Sequence, residues 1–549
     1  MKILFKILLI SFCCNSSIYA QNEVQATFYF LQLKDKNNSP FSLENPSIYL
    51  SDRALQRRAA MGIAIDSTDL PVNPLYISEI ANTGAAIFAT TRWLNGVTVC
   101  LNDSATILPV LRNINFIKKI EYTGVDVPAS LAVPSLISLA ERKTHSYSTT
   151  YGSGFSQINQ LNGLPLHQRG FRGAGVQIAV IDGGFTNADS HIAFDSLRNA
   201  GGLLGTHDFA YKTDNAFCRN THGSAVLSTM ASNVPGTLIG TAPDAAYWLL
   251  LSERTQGEYP VEADLWISAA EFADSVGVDI ITTSLGYTVF DDSSLNYNYL
   301  TDLNGQTIRA SRAADIAAGK GIVTLNAVGN EGRGTWHYIS VPADAQQVIS
   351  VGAVNSAGLA AGFSSYGPTA DGRVKPELSA EGVSAAIGNF YDTNQFTTSG
   401  GTSFATPILA GMTACLLQAL KVNNISYSPE TVKNALIHST SLYPDVDDQK
   451  GYGVPNFETA FAFFLTTKIN ENQTVNYFEI KKESNFFNIK INIMGGKNEI
   501  AIFDALGQCL RMISTKNSEI LIDNAAFRRG ILFVKVQNEQ FVSVKKIIN

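Results

Sequence analysis

Between residues 155 and 465 short, fully apolar runs alternate with amphipathic segments of helical period, and that alternation leaves few folds open. The runs "VQIAVIDGG", "AYWLLLSE", "VDIITTSLG", "GIVTLNAVGN" and "VISVGAV" read as strands buried on both faces, with "ADLWISAAEFADSVG" and "QTIRASRAADIAAGKG" as helices between them. Strands of this kind, joined by helices, imply an α/β unit with a doubly wound, mostly parallel sheet covered on both sides. Ligands in such a sheet collect beyond the carboxyl ends of the strands. The residues that follow each apolar run are therefore the first candidates for function.

Asp182 ends "VQIAVID" before two glycines, so its carboxylate can project over the sheet edge; a turn or N-cap aspartate would look the same. His222 stands in "NTHGSAVLSTMAS", and of seven histidines it alone sits at a glycine-marked helix start, a place where a structural histidine is also common. Asn330 in "LNAVGNEG" could donate its amide into the same space or simply make a turn, and Ser284, Leu285 and Gly286 of "TTSLG" could pair with an extended peptide or merely end a strand. In "TTSGGTSFATPILAGM", residues 397–412, Ser403 precedes apolar residues at helical spacing, with Pro407 early enough that its missing N–H disrupts little. A helix start offers unpaired N–H groups and the positive end of the helix dipole, which favour developing negative charge, though a serine N-cap is the commoner use. Together, an aspartate to orient a histidine, a histidine to take a serine proton and an amide for the oxyanion make a complete acyl-transfer site.

The flanks read differently. At 549 residues the chain exceeds one core, and 45% hydrophobic with 16% charged residues describes ordered globular domains. Residues 1–20 have the layout of a secretory signal peptide, and no further run reaches membrane length, so no integral membrane segment is expected once it is removed. Residues 21–125 alternate strand-like and helix-like pieces, as a small α+β unit would. Residues 126–154, rich in Ser, Thr, Pro and Ala, read as an exposed linker and processing region. Residues 468–549 hold twelve Lys or Arg and eight Asp or Glu, a net +4 that leaves −11 for the rest of a chain of net charge −7; their period-two runs predict a small β-sandwich. The acidic balance excludes nucleic acid as an expected partner. The four cysteines left after the leader, Cys100, Cys218, Cys415 and Cys509, are too scattered for a zinc site or a disulfide framework.

The ordered segments "VIDGG", "HGS", "GTAPDA", "SLG", "VGNEG", "VGAV", "FSSYGP", "KPELSA" and "GTSFATP" resemble the subtilisin-like serine proteases. The resemblance implies a subtilisin-like catalytic domain over residues 155–465. Asp182, His222 and Ser403 would be its triad, Asn330 with the Ser403 N–H its oxyanion hole, and Ser284, Leu285, Gly286 and Gly329 its substrate-binding residues. Ala225 and Glu381 depart from the family pattern, standing where a second histidine and a proline are usual. No cofactor is implied; calcium is common in the family, but Asp291 and Asp292 suit a solvated loop equally well and no metal ligand is assigned. The flanks look like a ferredoxin-like, inhibitory prodomain and a C-terminal sorting domain of the type IX secretion system. The expectation is thus a serine endopeptidase made as an autoprocessed precursor, exported through the periplasm to the cell surface or beyond. Its partners would be protein or peptide substrates, its own prodomain and the type IX machinery. The alternative is a catalytically inactive surface binding module of the same fold.

Overall fold

The computed structural model describes residues 25–127, 149–471, 478–491, 497–504, 508–527, 530–538 and 542–549. The signal peptide and most of the expected processing region lie outside the described residues. Strands β1 (Thr27–Leu33), β2 (Ala86–Thr91), β3 (Gly96–Leu101) and β4 (Ile117–Val125) of the N-terminal unit form an antiparallel sheet in the order β2-β3-β1-β4. Helices α1 (Asp52–Ala60) and α2 (Pro74–Asn82) connect β1 to β2, and α3 (Ser104–Arg112) connects β3 to β4, which makes the arrangement ferredoxin-like with one added helix. One face of the sheet packs Leu31, Val97 and Val99 on Ile80 of α2 and Leu111 of α3.

The central sheet has seven strands: β5 (Gln177–Asp182), β6 (Leu203–Asp208), β7 (Ala246–Leu251), β8 (Ile280–Thr283), β9 (Val323–Ala327), β10 (Ile349–Val354) and β11 (Leu378–Glu381). Their order is β11-β10-β9-β8-β5-β7-β6, every pairing parallel. After β5 the chain goes to the edge at β6, returns to lay β7 between β6 and β5, and then builds the other side from β8 to β11, so the order reverses between β5 and β8. A crevice opens where strand order reverses. The sheet is buried on both faces: Ile178 and Val180 of β5 meet one apolar layer, Ala179 and Ile181 the other. Helices α4 (His222–Ala231) and α7 (Thr402–Val422) supply the first layer, and α5 (Val261–Val276) and α6 (Arg309–Gly319) the second.

One expectation needs correction. The helix α7, 21 residues long, is apolar enough to cross a membrane by length and composition, yet its apolar window is wholly buried. It is the core helix of a doubly wound domain, and its hydrophobicity answers to two packed faces rather than one. The N-terminal unit packs into the catalytic domain. Arg57 and Arg58 of α1, with Arg92, are buried against the Asp274 carboxylate of α5, at 2.8 Å for Arg58 and for Arg92; Arg58 also pairs with Asp69 at 3.0 Å. Trp93 enters the apolar layer of α5 and α6.

Toward the C-terminus, strands Phe478–Lys482, Phe486–Ile491 and Glu519–Asp523 form one antiparallel sheet. Cys509–Thr515, Asn498–Asp504, Ile531–Gln537 and Val542–Ile548 form another. Between them lie Phe487, Ile489, Ile502 and Val534, the small sandwich that the alternating pattern predicts. The four cysteines are free thiols.

Candidate active site

Asp182 closes β5 fully buried, and its Oδ1 accepts the Gly183 N–H at 2.8 Å and faces His222 Nδ1 at 2.8 Å. His222 is the first residue of α4, its backbone N–H donating to Asn220 Oδ1 at 2.9 Å. The approach of the two elements depends on glycine: a Cβ on Gly223 would meet the Gly184 carbonyl at 2.5 Å, and Gly184 itself has φ +143°. Burial pulls the His222 pKa down, but the adjacent Asp182 charge and its hydrogen bond outweigh it, with Glu253 adding to them, and the net shift is upward.

Ser403 is the second residue of α7, after Gly401 at the helix start, and is 7% exposed. Its neighbour Phe404 faces the His222 ring, centroids 6.0 Å apart, which sets the start of α7 beside the start of α4. The Ser403 hydroxyl donates to the Ser284 carbonyl at 3.4 Å, while the Ser284 hydroxyl donates to the Ser403 carbonyl at 2.8 Å. Asn330 follows β9, and its Oδ1 accepts from Thr402 N at 2.9 Å and Thr402 Oγ1 at 3.1 Å. With the oxygen so held, the NH₂ of the amide is the end left for the cleft. Thr402 Oγ1 also donates to the Gly329 carbonyl at 3.2 Å, so one threonine fixes both residues after β9.

The segment Ser284–Gly286 separates two cavities. One, of about 610 Å³, is lined by Asp182, His222, Glu253, Glu258 and Asp291. The other, of about 160 Å³, is lined by Gly329, Asn330, Thr402 and Ser403. Asp182, His222, Asn330 and Ser403 therefore line two cavities that meet at Ser284–Gly286, at the carboxyl ends of β5, β8 and β9.

Three features of this cleft were not read from the sequence. Thr402 is one, hidden because its partner lies 72 positions away. The second is a carboxylate group beside the Asp182–His222 pair: burial, then the neighbouring acids, push Glu253 to about 7 and Glu258 to about 8, and raise Glu262 behind them. The third is that Asp291 belongs to the wall of the larger cavity, accepting the Glu258 N–H at 3.1 Å, while Asp292 caps the turn at Ser294. Among the described residues no group of three or more His, Cys, Asp or Glu side chains could hold a metal ion. The departing residues are accommodated: Glu381 accepts the Ser156 hydroxyl at 2.6 Å, and Ala225 is buried inside α4.

A buried carboxylate on an imidazole, beside a serine at a helix start and a free amide, defines the class of serine peptidases. Sequence comparison narrows the class. The model of the subtilase family, Peptidase_S8, matches residues 173–453, and the chain belongs to that family. It is 32% identical over 307 residues to subtilisin DY of Bacillus licheniformis, which covers 54% of this chain and 97% of that protein. To subtilisin NAT of Bacillus subtilis subsp. natto it is 29% identical over 321 residues, 58% of this chain and 72% of the relative. Residues 28–135 match a peptidase S8 propeptide domain, Bacteroidota, and residues 483–549 a secretion system C-terminal sorting domain. The protein is accordingly a secreted or cell-surface serine endopeptidase with its own propeptide, and the inactive alternative has no support.

Proposed function

We propose that Ser403 is the nucleophile of this endopeptidase, with His222 as general base, Asp182 as its orienter and Asn330 as oxyanion donor. The observation that carries the assignment is the 2.8 Å contact of Asp182 with His222 Nδ1, which leaves Nε2 as the nitrogen free to take a proton at the edge where Ser403 stands. The Ser403 proton passes to Nε2 as the oxygen attacks the peptide carbonyl. The negative charge then falls between the Asn330 NH₂ and the Ser403 N–H, which no intrahelical acceptor claims. His222 returns its proton to the leaving amine, and water, activated by the same imidazole, hydrolyses the ester.

The substrate backbone lies along Ser284–Gly286, with Gly329 keeping the smaller cavity open. The first substrate is the protein itself: Asp126, the residue after β4, pairs with Arg254, a residue lining the larger cavity, so the chain leaves the N-terminal unit at the rim of the cleft. The domain limits follow as 21–125 for the prodomain, 155–465 for the catalytic domain and 468–549 for the sorting domain, exported through the periplasm by type IX machinery.

A fluorophosphonate probe should label mature wild-type protein on Ser403, and intact mass should show the loss of roughly the first 105 to 135 residues after the signal, as the linker position requires. Ser403→Ala should remain unlabelled and full length. Labelling that survives the substitution overturns the assignment; trimming of Ser403→Ala at the wild-type position overturns self-cleavage alone.

A further inference from the structure

We propose that the Ser284 side chain is a positioning residue for Ser403, and that it holds this role because of Pro407. The inference rests on Ser403 being the nucleophile and adds to the substrate-facing role assigned to the Ser284 backbone. Within an α-helix each carbonyl accepts the N–H four residues on. For Ser403 that residue is Pro407, which has none. The carbonyl of the nucleophile would thus be an orphan acceptor at a site only 7% exposed.

The Ser284 hydroxyl, reaching across from the end of β8 and itself only 8% exposed, supplies the missing donor at 2.8 Å. The return contact runs from Ser403 Oγ to the Ser284 carbonyl at 3.4 Å. Elsewhere in α7, Thr406 and Thr413 turn their hydroxyls onto carbonyls of their own helix, at Thr402 and Leu409. Ser284 differs in joining two elements. It fastens the backbone of Ser403 to β8, which pairs directly with β5, the strand that carries Asp182. On its other side the same helix start is held by Asn330 Oδ1 through Thr402. The nucleophile is therefore clamped between β8, the neighbour of the strand that bears its orienting acid, and the oxyanion donor that follows β9, and proline removes the intrahelical bond that would otherwise occupy the carbonyl.

The test is a double-substitution cycle read by the rate of fluorophosphonate labelling at Ser403 in mature, full-chain protein, with folding followed by thermal unfolding. Ser284→Ala should lower the saturating labelling rate about 10- to 100-fold, the range for small misplacements of reacting groups, with little change in the half-saturating probe concentration. Ser284→Thr, which retains a hydroxyl, should recover most of the rate that Ser284→Ala loses. Pro407→Ala restores an N–H to the helix, so Ser284→Ala with Pro407→Ala should return most of the lost rate. Equal rates for wild type and Ser284→Ala overturn the inference, as does a loss that Pro407→Ala leaves unchanged. If Ser284→Ala alone does not fold, a folded, labelling double variant supports the inference and an unfolded one overturns it. A wild type that takes no label at Ser403 ends the proposed nucleophile instead, a distinct outcome.

Discussion

The two units that flank the catalytic domain are held in different ways. The N-terminal unit lends Trp93 to an apolar layer of the catalytic domain and buries Arg57, Arg58 and Arg92 against Asp274. Further polar contacts run from Arg53 to Asp279, from Thr98 to Asp264, from Arg309 to Glu121, from Arg254 to Asp126 and from Lys320 to Asp66 and Asp69. The C-terminal sandwich closes on a core of its own, Phe478 to Val536, and carries a basic balance against an acidic remainder. A buried ion pair gives little net stability over an apolar contact of the same shape, but it punishes the loss of either partner. The first unit is thus built for one specific partner, and the second to travel with whatever precedes it.

The sharpest separation of the two should come from slowing the chemistry. Asn330→Ala should reduce turnover by about 10²- to 10³-fold, the loss typical of removing one oxyanion donor. Release of the N-terminal unit, followed by intact mass over time, should slow in proportion while delivery of the sandwich outside the cell continues; equal delay of both would break the comparison. Next in size is Asp274→Ala in the Ser403→Ala precursor, which takes a shared carboxylate from three buried guanidinium groups and should cost about 3 kcal/mol or more in denaturant unfolding. A loss under 1 kcal/mol would mean that the interface is held by Trp93 and the sheet alone.

The acidity of the cleft gives a third test. A general base works when neutral, and the His222 pKa is raised, so activity is present above that pKa and lost as pH falls through it. The acid limb of kcat/KM should therefore lie above 6.5, falling about tenfold per pH unit below it. Asp182→Asn, by removing the largest raising influence, should move the limb down on the residual activity. Smallest of all, removing residues after Thr467 should leave kcat/KM within about twofold, as expected for changes far from the reacting atoms, while the protein stays in the periplasm. Continued delivery of the truncated protein would overturn the sorting role of the sandwich.

The residues around the cleft were legible because each marks a change of local structure. Asp182, Ser284 and Asn330 follow apolar runs, and His222 and Ser403 open helices beside glycines, so position in the pattern stood in for position in space. Strands β6 and β11 were not legible. β6 is an edge strand, "LLGTHD", half exposed and without a continuous apolar run, and β11, "LSAE", mixes two polar residues into four, where the equally short β8 follows an apolar approach. The acids of α5 carry no mark of their burial either: Asp264, Glu271 and Asp274 repeat as an exposed polar face would, yet all three are buried under the N-terminal unit. Charge pattern shows that a face is polar and says nothing of the arginines from 170 or more residues earlier that cover it. Pro407 was read as harmless to its helix, whereas the bond it deletes is replaced from another strand.

The helix α7 has one more consequence. Its residues from Thr402 to Leu420 are buried, and Ser403, the proposed nucleophile, sits at one end of that span rather than on a surface loop. Loops can fray and re-form without disturbing the rest of a domain, but a central helix comes loose only when the whole core does. Ser403 therefore has no private route to inactivation by heat or denaturant: the lifetime of its alignment is the lifetime of the domain, as suits an enzyme that works outside the cell, beyond the reach of chaperones.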